Sequence, residues 1–171
     1  MKIAIIGYSG AGKSTLAKKL GKFYNIPVLH LDKIQFIENW QERNNKEALE
    51  SIDQFMKNES WVIDGNYGKF RQELRLKEAD TIIFLNFPRY ISFYQAYKRY
   101  KNNINKVRDD MAKGCIEKFD WEFIKWILFD GRVSKYKTNY KNIEKLYPDK
   151  FIQFKNNHQV EDYLENLTTH S

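Results

Sequence analysis

Between residues 7 and 15 the chain reads GYSGAGKST, the stretch richest in residues that can do chemistry. Gly7, Gly12, Lys13 and Ser14 stand at the spacing G-x-x-x-x-G-K-[ST], in which each residue type has a physical task. Glycines let the backbone wrap closely because no Cβ blocks left-handed torsions. Lys13 brings a positive charge to the outer phosphates of a nucleotide, and the Ser14 hydroxyl is a ligand for Mg²⁺. The run KIAII before the loop is strand-like, and STLAKKL after it continues as a helix. A helix that starts there points its unpaired first-turn N–H groups back at the loop, where they attract an anion. Gly7, Ser9, Gly10, Ala11, Gly12, Lys13, Ser14 and Thr15 are therefore the candidate cradle for the triphosphate tail of a nucleotide.

Phosphoryl chemistry also requires carboxylates near a metal and cations near the transferred group. Asp32 closes the run PVLHLD and Asp64 closes WVID, so both are expected at the carboxyl ends of parallel strands, facing the loop. Asp32 and Asp64 are candidates, with Ser14, for the Mg²⁺ site. Asp32 has a second reading, as acceptor of a proton from a substrate hydroxyl, a role worth roughly 10² to 10⁴ in rate. Each aspartate also has a plain reading as helix cap or turn former. Cations follow the fourth strand: Arg89, Arg99 and Arg108. On a helix starting near Pro88, positions 88, 92, 95 and 99 share a face, so Arg99 lies with Gln95 and away from Ile91, Tyr94 and Tyr97. Arg89 reads as a surface residue. The aromatics between 90 and 147 read as core or helix contacts before they read as a platform for bases. His30, His158 and His170 lack metal-ligand spacing and receive no catalytic role, and Cys115, the single cysteine, reads as an ordinary thiol.

Short, continuous apolar runs must position these groups. KIAII, PVLHL, WVID, DTIIFL and KFIQF predict strands covered on both faces. Ala48, Leu49, Ile52, Phe55 and Met56 fall on one helical stripe, as do Val160, Tyr163, Leu164 and Leu167. Strands alternating with helices predict a parallel sheet in a three-layer α/β fold, with ligands at the strands' carboxyl ends. The stretch from Pro88 to Pro148 is about twice a normal crossover and predicts an insertion. The 171 residues, 42% hydrophobic, fit one domain. No apolar run is long enough to span a bilayer, and Lys2 to Ile6 is too short for a signal-peptide core, so the expectation is a cytoplasmic protein without membrane contact. A formal charge of +7 favours polyanionic partners without choosing among nucleotides, phosphorylated metabolites and nucleic acid.

Over nearly its full length the chain resembles the adenylate-kinase-like P-loop kinases. It is most similar to the subgroup of DNA topology modulation proteins, related to a flagellar regulator. The segments that carry the resemblance are IIGYSGAGKSTLAKKL, PVLHLDKIQF, WVIDGNYGKF, ADTIIFLNFPRY, KRYKNNINKVRDDMAKGCIEKFD and KFIQFKNNHQVEDYLENL. The resemblance implies a five-stranded parallel sheet, an acceptor site between the second and third strands, and a helical lid insertion around residues 102–119 of a single domain, 1–171. It implies that Arg99 touches the transferred phosphate, that Arg108 closes over it, and that Lys155 and Asn156 pack over adenine. Asp32, Asp64, Asn66 and Arg71 are the implied acceptor-binding residues. Adenylate kinases follow the third strand with Asp-Gly-Phe-Pro-Arg, whose arginine grips the acceptor's phosphate. Here the run is Asp64-Gly65-Asn66-Tyr67, and Arg71 or Arg75 is the substitute within reach. Gln95 stands where relatives often carry an arginine that stacks on adenine.

The reading that results is an ATP- and Mg²⁺-dependent phosphotransferase of small acceptors, monomer or homodimer, with Lys13, Asp32, Arg99 and Arg108 as its catalytic groups. The alternative from another class is a nucleotide-regulated DNA-binding protein. Against it, the sequence has no helix-turn-helix, zinc finger or basic arm.

Overall fold

The computed structural model describes residues 1–169; His170 lies outside the described residues. The five apolar runs form strands β1 (Lys2–Gly7), β2 (Val28–His30), β3 (Trp61–Asp64), β4 (Thr81–Leu85) and β5 (Phe151–Phe154). They pair in the order β2-β3-β1-β4-β5, and every pair is parallel. Parallel neighbours require crossovers, which here are helical. Helices α1 (Lys13–Tyr24), α2 (Leu31–Gln35), α3 (Asn45–Phe55) and α4 (Gln72–Glu78) connect the first four strands. Helices α5 (Arg89–Asn102), α6 (Trp121–Leu128) and α7 (Ser134–Leu146) precede β5, and α8 (Asn157–Thr169) follows it. The expected three-layer α/β architecture with a five-stranded parallel sheet is the one observed.

Alternation along β1 divides the core in two. Ile3 and Ile5 pack with Leu16, Ala17 and Leu20 of α1, and the predicted stripe Val160, Tyr163, Leu164 and Leu167 of α8 covers the same face. Ala4 and Ile6 point the other way, to Ala48 and Ile52 of α3, Leu76 of α4 and Tyr140 and Ile143 of α7. Each such side chain contributes on the order of 1.5–3 kcal/mol by leaving water. With both faces covered, the strands need no polar alternation, and this is why they read as uninterrupted apolar runs.

The long insertion is helical at its flanks and not at its tip. α5, α6 and α7 account for most of it, whereas 103–120 is a chain of turns pinned by one antiparallel bridge, Val107 to Ile116. Asp120 ends that segment by capping α6, its carboxylate accepting from the Phe123 N–H at 2.8 Å.

After β3 the chain makes an irregular loop, 65–70, which carries the residues facing the sheet's carboxyl edge. A fully buried arginine of α4 holds it: Arg75 donates Nε to the Phe70 carbonyl at 2.7 Å and Nη2 to the Tyr67 carbonyl at 3.0 Å. Burial lowers this guanidinium to about 10, against the pull of Asp64, so it stays charged at neutral pH. Replacing it by Arg75→Leu removes the donor to the buried Phe70 carbonyl, leaves the Tyr67 carbonyl only the Phe70 N–H at 3.2 Å, and is expected to cost about 2–4 kcal/mol. Scanning calorimetry should show Tm falling by roughly 5–15 °C, and an unchanged Tm would remove Arg75 from this role.

Candidate functional site

A cleft of about 1160 Å³ opens at the carboxyl ends of the strands, where the strand order reverses around β1. Its floor is the glycine loop from Ser9 to Thr15. One side holds Asp32, Phe36, Trp40, Asn66 and Tyr67, and the other Gln95, Arg99, Arg108, Asp110 and Glu117. The volume lies just above the usual range for a small-molecule pocket, roughly 300–1000 Å³.

The loop is pre-shaped. Gly10 has φ +78°, and a Cβ there would stand 2.4 Å from the Ser92 carbonyl of α5, so only glycine lets the loop lie against that helix. Gly12, at φ +90°, is the N-cap of α1 and turns the chain into the helix. The loop is also tied from outside. Asn66 Oδ1 accepts from the Gly7 N–H at 2.9 Å, and Asn66 Nδ2 donates to the Gly7 carbonyl at 2.6 Å. Trp126 of α6 donates Nε1–H to Ser9 Oγ at 3.0 Å. Lys13 Nζ donates to the carbonyls of Gly7 and Tyr8 at 3.0 and 3.1 Å. Burial pushes the Lys13 ammonium below its ordinary value, Asp32 and Asp64 pull it back up, and Arg99 adds to the lowering.

Two carboxylates face this loop. Asp64, buried at the end of β3, accepts from the Ser14 hydroxyl at 2.8 Å through Oδ2 and pairs with His30 Nδ1 at 2.5 Å through Oδ1. Asp32 sits in the first turn of α2, one step past β2, and its Oδ1 accepts from the Tyr67 hydroxyl at 2.7 Å. Burial and then Asp32 raise the Tyr67 phenol far above its usual range, which keeps it a donor. A hydroxyl and a carboxylate oxygen 2.8 Å apart at the phosphate loop fit a hard divalent cation. Mg²⁺ is commonly bound by one or two carboxylates, substrate phosphates and waters. Among the described residues, no three His, Cys, Asp or Glu side chains gather as a metal cage.

Across the cleft the arginines are held by acids. Arg99 donates Nε to Glu117 Oε1 at 2.8 Å, with Nη2 at 2.7 Å from the same oxygen. Arg108 Nε lies 2.6 Å from Glu117 Oε2, an ion pair without hydrogen-bond alignment, and its Nη1 donates to Asp110 at 3.0 Å. Burial, then Arg108, lowers Arg99, and Glu117 and Asp110 oppose that shift. Asp110 reaches Lys18 of α1 at 3.5 Å, and Lys33 of α2 donates to the Asp109 carbonyl at 3.3 Å, so 103–120 is fastened across the cleft mouth. Apolar contact reinforces this, with Met111, Ala112 and Cys115 packing on Phe36 and Trp40. The Cys115 thiol is buried and donates to the Ile37 carbonyl at 3.2 Å.

The structure thus brings together the loop residues, Lys13, Asp32, Asp64, Asn66, Arg99 and Arg108. It does not bring Arg71, whose guanidinium makes a two-pronged pair with Asp53 at 2.9 and 2.8 Å on the outer surface. Nor do Lys155 and Asn156 line the cleft. Asn156 Oδ1 caps α8 by accepting from the Gln159 N–H, and the Lys155 N–H donates to Gln159 Oε1. Their neighbour Asn157 lines it instead, accepting from Gln95 Nε2 at 2.8 Å. Gln95 Oε1 is buried without a hydrogen-bond partner. Residues overlooked in the sequence are His30, Tyr67, Asp110, Glu117 and Trp126. Asp110 and Glu117 lie in DMAKGCIEKFD, a segment singled out only as a likeness.

An all-parallel sheet with its central strand feeding a lysine-bearing glycine loop is the three-layer P-loop NTPase fold. Solved structures bear this out over the whole chain. An uncharacterized protein from Eubacterium ventriosum aligns with 99% of this chain and 98% of its own, at 18% identity and a TM-score of 0.53. Shikimate kinase from Bacteroides thetaiotaomicron aligns over 99% and 97%, at 16% identity and 0.52. Shikimate kinase from Acinetobacter baumannii, solved with shikimate, aligns over 99% and 94%, at 13% identity and 0.56. At these identities the likeness is one of fold. No family model matches the chain, and no curated protein matches it.

Asp110 supplies a pH test of the cleft's closure. Burial raises its carboxyl, but Arg108, Lys18, its own backbone N–H and His30 together lower it more, so the folded value lies below the free value of 3.8. A depressed carboxyl contributes stability that is present above its unfolded value and lost as pH falls through the folded one. Asp110→Asn is therefore expected to reduce amide-exchange protection of residues 103–120 at pH 7, seen as several-fold faster exchange than in the parent. The difference from the parent should close as pH drops below 3.8. A gap independent of pH would show that the charge is not what holds the segment.

Proposed function

We propose that the chain is an ATP- and Mg²⁺-dependent phosphotransferase that acts on a small acceptor. The observation that carries this reading is the meeting of Lys13 and the Ser14–Asp64 pair with Asp32 and Arg99 around one cleft. The loop amides and the start of α1 receive the phosphate tail, and Lys13, turned onto loop carbonyls here, carries the charge that the outer phosphates attract. Ser14 and Asp64 would hold the metal, with His30 fixing the carboxylate's second oxygen. Mg²⁺, when bound there, would supply charge neutralisation for the phosphates. Asp32 orients the acceptor. Arg99 and Arg108 stabilise the charge that develops on the transferred group. Residues 103–120 are a lid within a single domain, and their closure excludes water that would otherwise hydrolyse ATP.

The kinase neighbours support the class and leave the acceptor to experiment. Among the described residues no helix is long and apolar enough to cross a membrane. The DNA-binding alternative and the DNA topology modulation subgroup draw no support from these neighbours.

Lys13→Ala is expected to reduce phosphoryl transfer by about 10²–10³-fold and to weaken Mg·ATP binding measured by calorimetry. The fold should survive, since the ammonium's partners here are two loop carbonyls. Transfer at the parental rate would contradict the reading.

A further inference from the structure

Resting on the phosphotransferase reading, we infer that the acceptor is an uncharged hydroxyl compound with a flat or apolar body, and not a phosphate ester. A phosphate acceptor brings two negative charges into a partly desolvated cleft and needs a fork of cationic donors to hold them. The two arginines that follow β3 are both committed. Arg71 spends its fork on Asp53 outside the cleft, and Arg75 is fully buried on the carbonyls of Phe70 and Tyr67. The arginines that line the cleft, Arg99 and Arg108, stand on the lid side and share Glu117. In the proposed reaction they serve the transferred phosphoryl.

What the acceptor side offers is of another kind. Phe36 and Trp40 meet edge to face at 5.2 Å, Met111 packs on them from the lid, and Tyr67 completes the wall. Such a surface takes up a planar ring or an apolar skeleton. Within it stands one carboxylate, Asp32, with Oδ1 occupied by the Tyr67 hydroxyl and no hydrogen bond to Oδ2 among the described residues. An anionic acceptor would be repelled there. A hydroxyl would donate to Oδ2. Lys118, which also lines the cleft, is exposed and lies over the Trp40 ring at 5.3 Å, a lone point charge without the fork that a phosphate dianion needs.

The step balances without further reagents. The acceptor oxygen forms a bond to the γ-phosphorus of ATP, and the bond from that phosphorus to the β–γ bridging oxygen breaks. ADP leaves with the electron pair. The hydroxyl proton passes to Asp32 Oδ2 and then to water.

The test uses the full chain with Mg·ATP and acceptors in matched pairs: ribonucleosides, deoxyribonucleosides and hydroxymethyl-substituted heterocycles, each beside its own monophosphate. Transfer is read by mass spectrometry and ATP binding by calorimetry. The uncharged member of at least one pair should be phosphorylated with kcat/KM ten or more times that of its monophosphate. Asp32→Asn should then lower kcat by roughly 10²–10⁴ with KM within a few-fold, while Trp40→Ala should raise acceptor KM and spare ATP affinity. Preference for the monophosphates, or transfer indifferent to Asp32→Asn, overturns the inference and leaves the kinase reading intact. Absence of transfer to every member while ATP still binds overturns this acceptor class. Absence of Mg·ATP binding to the parent chain overturns the kinase reading itself.

Discussion

The cleft depends first on one amide. β3 ends at Asp64, paired with Ile5 of β1, and the last rung between those strands is the Gly65 N–H on the Ile5 carbonyl at 3.0 Å. Gly7 lies two residues further along β1 and would show an unpaired edge on that side. The Asn66 side chain supplies both a donor and an acceptor to Gly7, acting as an extra rung of ladder. Buried backbone groups must be paired somewhere, and a side chain that pairs them also fixes where the glycine loop begins. Arg75 in turn fixes the loop that carries Asn66, so a buried cation in α4 sets the phosphate cradle at one remove.

Charge around the cleft is arranged in small, nearly neutral groups. Lys13 lies in the field of Asp32 and Asp64, and Glu117 with Asp110 balances Arg99 and Arg108. Burying any of these ions alone would be costly. Paired, they are held in position around the cleft. The same pairing explains why burial lowers Lys13 and Arg99 while neighbouring carboxylates oppose that shift.

Much of this was legible in the sequence because it is local. The glycine loop is a contiguous motif, and the five strands are apolar runs whose burial on both faces removes ambiguity about period. The α3 and α8 stripes fell where the helical repeat put them. What was not legible depends on partners far apart in the chain. Arg71 is 18 residues from Asp53, and nothing in either segment announces their pairing. Glu117 and Asp110 carry no signal of their own in the sequence; only the fold sets them against Arg99 and Arg108. His30 was passed over because no histidine stands at metal-ligand spacing, yet the parallel register places it opposite Asp64. Asn66 was read as an acceptor ligand when its side chain first completes the sheet.

The proposed lid and the proposed acceptor wall are one piece of packing. Phe36 and Trp40, which flank the cleft, are the residues on which Met111, Ala112 and Cys115 of the lid rest. The contact is close. Trp40 Nε1 donates to the Ile116 carbonyl at 3.0 Å, and Trp40 itself has φ +63°, next to Asn39 at +57°. Two consecutive non-glycine residues in left-handed torsions are costly, on the order of 1–3 kcal/mol each, and the lid contacts are what stabilise them. A Cβ on Gly114 would stand 2.9 Å from the Glu38 side chain, so the lid approaches this turn as near as a glycine allows. Anything that moves Phe36 or Trp40 moves the lid's seat, and any opening of the lid unloads a strained turn. Access to the proposed acceptor side and movement of the proposed lid are therefore coupled through a few aromatic and sulfur contacts.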